Sequence, residues 1–251
     1  MQRYFLQNNH YKDRNIHIVG DDYHHIVRVM RMQPGDRVEI VFPDGKTAIS
    51  EIVAITEDVV ELTIVGWDEK VRELPVEVTI GISLLKKDNF DMVVQKGTEL
   101  GASRFLPFHA ERSVVKLDDK KAAKKLIRWQ KIAKEAAEQS ERNFIPDVEK
   151  PCSLEAIISR KDTFDFCCVA YEESGRNFES GNFFQTLEQM EKGHSILFLF
   201  GPEGGFSETE IRLLEEENFI FCGLGPRILR AETAPLYALS AISFYFENGL
   251  R

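Results

Sequence analysis

An α/β layer fold with a largely parallel sheet, preceded by a smaller antiparallel β unit, is what this 251-residue sequence predicts. Three observations carry the prediction. From residue 76 onward, β-prone runs alternate with helical periods; between Arg37 and Gly66, three β-prone runs are separated only by short turns; and "DEKVRELP" (68–75), polar and ending in proline, parts the two patterns. The boundary is placed near residue 73, giving segments 1–73 and 74–251.

In chain order, "DDYHHIVRVMRMQPGDRV" (21–38) sets Ile26, Val29 and Met30 at helical spacing, with His24, His25, Arg28 and Arg31 among the polar positions. It stops at Pro34-Gly35. "RVEIVF", "KTAISEIVAI" and "VVELTIVG" read as strands, broken by "PDG" at 43–45 and "TED" at 56–58. In the second segment "VEVTIGISLL" (76–85) is a strand. Asn89 to Leu100 is a helix with Asp88 as cap and Gly101 as stop, followed by the strand "RFLPF". Residues 119–140 form a long helix with Ala122, Leu126, Trp129, Ala133 and Ala136 on one face; Arg128, Lys131, Glu135, Glu138 and Arg142 lie along another. The strand "FDFCCVA", a polar loop from Glu172 to Gly181, a helix near 183–191 and the buried strand "SILFLF" come next. Ser207 and Glu210 make a capping box that opens a helix. "FIFCGLG" then leads into "PRILRAETAPLYALSAISFYFENG", whose last helix is apolar on most sides and therefore expected to be buried.

The composition, 43% hydrophobic and 29% charged, is that of an ordinary globular chain, and no apolar run approaches the roughly 20 residues a membrane helix needs. "MQRYFLQNNHYKDRN" lacks the apolar segment of a secretory signal, so a cytoplasmic protein is expected. Cys152, Cys167, Cys168 and Cys222 form no CxxC pair, which disfavours zinc and disulfides; no metal is expected. A net charge of -9 argues against coating nucleic acid by bulk electrostatics. Residues 112–134 depart from that balance: nine Lys or Arg, from Arg112 through Lys116 to Lys134, face only Asp118 and Asp119. This stripe is either a solvated helix face or a phosphate-contacting surface.

"GPEGGF" (201–206) lies where a strand hands over to a helix, yet its glycines fit neither GxxxxGK[ST] nor GxGxxG. Its one charge, Glu203, opposes polyphosphate. The glycines either shape a tight turn or allow close backbone approach to a flat, neutral or cationic ligand. "GPEGGF" and "GLGPRILRAETA" (223–234) both follow strands of the parallel sheet, the edge at which such sheets bind ligands. The two loops are therefore expected to converge on one pocket.

Five segments, "HHIVRVMRMQPGD" (24–36), "KGTELG" (96–101), "EAAEQSERNFIP" (135–146), "FGPEGGFSETE" (200–210) and "LGPRILRAETA" (224–234), together span nearly the whole chain. On them the chain resembles the SPOUT superfamily of RNA methyltransferases, specifically the family that methylates N3 of a uridine in bacterial 16S ribosomal RNA. Met30 stands where leucine is expected. The resemblance implies S-adenosylmethionine as methyl donor and a PUA-like RNA-binding β-barrel at 1–73. It further implies a SPOUT methyltransferase domain at 74–251 whose C-terminal segment forms a trefoil knot, and a homodimer with the cofactor loops at the subunit interface. The implied substrate is 16S rRNA within the small ribosomal subunit, at the uridine numbered 1498 in bacterial rRNA.

Carried over residue by residue, the resemblance assigns cofactor binding to Phe200, Gly201, Pro202, Gly204, Gly205, Leu224, Gly225, Ile228, Leu229, Thr233 and Ala234. Arg230 would hold the uridine anion or a phosphate, with Glu232 orienting it or relaying a proton; a structural ion pair between the two is the alternative. RNA contacts fall to His24, His25, Arg28, Arg31, Lys124, Lys125, Arg128 and Arg142, against solvated helix faces and i,i+4 pairs such as Lys131 with Glu135 or Glu138 with Arg142. Three rival readings stand beside this one. A ribose 2′-O-methyltransferase shares the superfamily. A non-catalytic RNA-binding protein leaves the glycine loops without a task, and a nucleotide hydrolase lacks the phosphate-binding lysine.

Overall fold

The computed structural model describes residues 1–6, 15–115, 117–171 and 181–248; Lys116 of the basic stripe and the expected polar loop at 172–180 lie outside the described residues. Two compact units are present, Met1–Glu73 with Ala137–Phe144, and Leu74–Ala136 with Ile145–Arg251.

The first unit is built on a five-stranded sheet in the order β1 (Gln2–Phe5), β3 (Arg37–Val41), β4 (Thr47–Ile55), β5 (Val60–Asp68), β2 (Asn15–Ile18). The β1–β3 ladder is parallel and the others antiparallel. The three expected strands are all there. β1 and β2, four residues each, are too short for an alternation to stand out in sequence and were not anticipated. Tyr4, Ile16, Ile40, Ile52 and Leu62 fill the core beneath the sheet.

α1 (Gly20–His24) runs into a π-helical turn, His25–Val29, in which Met30 N–H donates to the His25 carbonyl (2.9 Å). That i→i+5 closure turns side chains off the 3.6-residue period. Of the apolar face expected there, only Ile26 is buried, while Val29 and Met30 are 58% and 40% exposed.

Arg142 requires a correction. It is 3% exposed, inside the first unit, with its guanidinium on the Glu73 carboxylate (Nε to Oε2, 3.1 Å), and so is not displayed to RNA. Arg3, also buried, donates to Glu39 (2.7 Å) and to the Arg142 carbonyl (2.7 Å), fastening the same segment. Buried guanidinium groups require such partners because desolvating an unpaired charge costs on the order of several kcal/mol.

Among the described residues of the second unit every ladder is parallel, in the order β12 (Ile220–Cys222), β10 (Phe166–Ala170), β11 (Ser195–Phe200), β6 (Glu77–Ser83), β7 (Arg104–His109), β8 (Asp147–Val148), with β9 (Cys152–Ser153) on β7. Its helices are α2 (Asn89–Glu99), α3 (Asp119–Gln139), α4 (Leu154–Ile158), α5 (Gly181–Gln189), α6 (Glu208–Glu216) and α7 (Thr233–Glu247). The unbroken apolar run of β11 follows from burial on both faces: Ile196, Phe198 and Phe200 enter one core cluster, Leu197 and Leu199 the other.

α2 ends as expected at Gly101, whose φ of 95° and the bonds Gly101 N–H to Thr98 O and Ala102 N–H to Gly97 O form a Schellman motif. Asp88 occupies the N-cap position, but its side chain makes no cap bond there and accepts from Arg128 instead (3.5 Å). On α3, Trp129, Ala133 and Ala136 are buried, and the Trp129 indole N–H donates to Asp91 (2.8 Å). α7 is less buried than its apolar composition suggests. Pro235, Ala238, Leu239, Ile242 and Tyr245 pack inward at helical spacing, leaving Tyr237 41% and Phe244 60% exposed.

Candidate functional site

The loop after β11 is held rigidly. Gly205 N–H donates to the Pro202 carbonyl (2.9 Å), and the turn requires φ of 69° at Gly205, a conformation that favours glycine. A Cβ on Gly201 would lie 3.1 Å from the Phe206 ring. The loop then enters α6 through the anticipated capping box, Ser207 N–H on Glu210 Oε2 (2.8 Å) and Glu210 N–H on Ser207 Oγ (3.2 Å). Glu210 Oε1 also accepts Glu111 N–H (2.8 Å), which ties the turn after β7 to this loop. Glu203 accepts the backbone N–H of Lys86 (3.2 Å).

The loop after β12 carries fewer bonds. Gly225 adopts φ of 94°, and near the loop's end the Arg230 carbonyl accepts from Thr233 and Ala234 N–H (2.9 and 3.0 Å), closing the first turn of α7. Glu232 stands at the N-cap of α7 with no side-chain cap bond. Neither Arg230 nor Glu232 has an ion pair among the described residues, so the structural pair considered from sequence is not formed.

Both loops open on one cavity of about 850 Å³. Of the residues anticipated there, Phe200, Gly201, Pro202, Gly204 and Gly205 line it from the first loop. Leu224, Gly225, Ile228, Leu229, Arg230, Glu232 and Ala234 line it from the second. Thr233 is not part of the lining; it lies in the first turn of α7 with its N–H on Arg230. Asn89, Arg112, Tyr171 and Arg227 also line the cavity and were not singled out as pocket residues from sequence. One signal could have found Tyr171: it directly follows β10, and all strands of a parallel sheet end on one edge.

Arg112, Arg227, Arg230, Glu203 and Glu232 are the charged residues that line this cavity. Among the described residues, no group of three or more His, Cys, Asp or Glu side chains is arranged to hold a metal ion.

The cations anticipated at RNA fall into distinct environments. On α3, Lys124 is exposed and Lys125 half-exposed, neither in an ion pair among the described residues. Arg128 binds Asp91 (2.5 Å) and Asp88, so much of its charge is already matched. Lys131 lies 3.8 Å from Glu135, as the i,i+4 spacing suggests. In the first unit His24, Arg28 and Arg31 are exposed. His25 is half-buried, its Nδ1 2.9 Å from the Tyr4 hydroxyl. Burial pushes the Tyr4 phenol well above its usual range, so it stays protonated against His25.

Residues 72–243 match the RNA methyltransferase domain family, and residues 18–65 match the RNA methyltransferase PUA domain. The chain is 49% identical over 250 residues, 98% of each sequence, to ribosomal RNA small subunit methyltransferase E of Bacillus subtilis (strain 168). The chain belongs to this methyltransferase E family. A crystal structure of a methyltransferase E from Neisseria gonorrhoeae bound to S-adenosyl methionine superposes with a TM-score of 0.85 at 28% identity, covering 98% of both chains. A methyltransferase from Legionella pneumophila in complex with the same cofactor gives 0.82 at 29% identity over 96% of both chains. In this methyltransferase E chain, the segments that carried the sequence resemblance include both loops of the cavity.

Proposed function

We propose that the protein transfers a methyl group from S-adenosylmethionine to N3 of one uridine in 16S rRNA of the small ribosomal subunit. The observation that carries this reading is the closure of two glycine loops on a single cavity in a chain of the methyltransferase E family. The residues present fit the cofactor. Gly201, Gly204 and Gly205 leave backbone accessible, Leu224, Ile228 and Leu229 offer apolar surface to a flat base, and no lysine of a phosphate cradle is present in either loop.

When bound, S-adenosylmethionine supplies a methyl carbon activated by a sulfonium centre. The remaining work falls to the chain. Uridine N3 carries a proton between two carbonyls and becomes nucleophilic only as that proton leaves. Arg230, on the cavity wall and without an anionic partner among the described residues, stabilises the charge that then develops on the flanking carbonyl oxygens. Glu232, free of a cap bond, relays the N3 proton. The loops align the nucleophile with the methyl carbon and exclude water.

In this reading residues 1–73 are the PUA-like RNA-binding module and 74–251 the SPOUT catalytic domain with its C-terminal knot. His24, His25, Arg28, Arg31, Lys124, Lys125 and Arg128 contact RNA, with Arg128 contributing least because of its carboxylate partners. The exposed aromatic side chains Phe184 (53%), Tyr237 and Phe244 support a homodimer. The protein acts in the cytoplasm; no described helix is long and apolar enough to cross a membrane. Mass mapping of methylated nucleosides in small-subunit RNA from cells with and without the protein tests the reading. N3-methyluridine is lost at one site without it; loss of a ribose 2′-O-methyl group instead would overturn the assignment.

A further inference from the structure

Among the described residues, the cavity contains one cation that neither glycine loop supplies. Arg112 lies in the turn that follows β7, closed by Ser113 N–H on the Ala110 carbonyl (3.0 Å). That turn is fastened on both sides. Glu111 N–H donates to Glu210 Oε1 (2.8 Å), and Ser113 Oγ donates to the Leu84 carbonyl (3.2 Å) just beyond β6. Glu210 is 8% exposed and its second oxygen accepts Ser207 N–H, so the anchor has little freedom to move. A buried carboxylate thereby sets where the backbone of Arg112 stands.

The side chain itself is only partly used. Nη1 lies 3.3 Å from the Gly204 carbonyl, which occupies one of the five N–H donors of a guanidinium. No carboxylate pairs with Arg112 among the described residues, and the side chain is exposed while lining the cavity. An arginine held at a pocket mouth with most of its donors free suits a planar, bidentate anion such as a phosphate diester. In sequence Arg112 also opens the basic stripe that continues into Lys120 and Lys124 of α3, both exposed.

We propose that Arg112 grips a backbone phosphate of the RNA strand at the cavity mouth, positioned for this by Glu210, and so holds the target nucleotide over the pocket. Its role is separate from that of Arg230, which acts on charge developing in the base. The proposal rests on the reading of the protein as an S-adenosylmethionine-dependent RNA methyltransferase. The competing anion is the carboxylate of the cofactor.

The test compares Arg112→Ala and Arg112→Lys with the wild type, using S-adenosylmethionine in calorimetry and purified small ribosomal subunits in binding and single-turnover assays. A wild type that neither binds the cofactor nor methylates the subunit defeats the underlying reading before any variant is made. With an active wild type, Arg112→Ala should lower the slope of log K against log salt by about one. The rate at limiting RNA should fall about tenfold, the loss expected for one charge-assisted contact. Cofactor affinity and melting temperature stay as in the wild type, because the side chain is exposed. Arg112→Lys keeps the salt slope and recovers part of the rate. Cofactor affinity falling tenfold with an unchanged slope would place the cofactor carboxylate at Arg112 and overturn the proposal. Unchanged slope, rate and affinity would also overturn it, leaving Arg112 a solvated side chain.

Discussion

The two loops of the cavity differ in how they are held. The loop after β11 is bonded within itself through Gly205 and Pro202, to α6 through Ser207 and Glu210, to the β6–α2 turn through Glu203 and to the β7 turn through Glu210. Among the described residues, the hydrogen bonds of the loop after β12 are those that close α7 at Arg230, and its Ile228 is 68% exposed. One loop is a preset platform; the other presents Arg230 and Glu232 with their charges unmatched among the described residues. A preset surface binds a ligand without an ordering penalty, and a charge with no partner in the resting protein is available to the transition state. Changes in the first loop should therefore register in stability and cofactor binding, and changes in the second in rate.

The largest effect that could break this contrast is at Arg230. Arg230→Lys keeps the charge and loses the planar fork, so single-turnover methylation should drop on the order of a hundredfold while cofactor affinity and melting temperature hold. A parallel fall in all three would make the second loop as structural as the first. Next comes Glu210→Ala, which removes the capping box and leaves the Ser207 and Glu111 N–H groups without their acceptor. Unfolding free energy should decrease by about 2 kcal/mol, read as a lower midpoint in urea with unchanged slope. An unaltered midpoint would remove the platform argument.

Smaller still is Gly205→Ala, for which the left-handed backbone predicts a loss of about 1 kcal/mol and weaker cofactor binding in calorimetry. Gly204 serves as its internal control. Gly204 has no positive φ, and an added Cβ would stand 3.4 Å from Arg112 Cβ, an ordinary contact, so Gly204→Ala should be the milder of the two. Reversal of that order would mean that ligand approach at Gly204, not backbone strain at Gly205, governs this loop. The smallest effect on the fold belongs to the pair Lys124→Ala with Lys125→Ala. Stability should change by less than about 0.5 kcal/mol, while the salt slope of RNA binding falls by about two. A slope equal to the wild type's assigns those lysines to solvent.

Much of this was legible along the chain because it is local. Strand and helix periods, the Ser207–Glu210 capping box, the Gly101 stop and the strand-end position of both loops each depend on residues a few positions apart. The fate of the charged side chains was not. Arg142, Arg128 and Arg230 look alike in sequence, yet one is buried on Glu73, one is bound to Asp91 and one is free of ion pairs among the described residues. Their partners, where they have them, lie tens of residues away, so no period in the sequence records the pairing. The order of the parallel strands belongs to the same class. Only that order brings Asn89, Arg112 and Tyr171, from three separate strand ends, to the rim of the pocket that the two glycine loops define. The sequence by itself determined which segments become strands, helices and glycine turns, since backbone preference and apolar period act over a few residues. Which charges are neutralised and which remain available for chemistry was decided by tertiary structure, because Coulomb interaction and desolvation depend on distance through space and not along the chain.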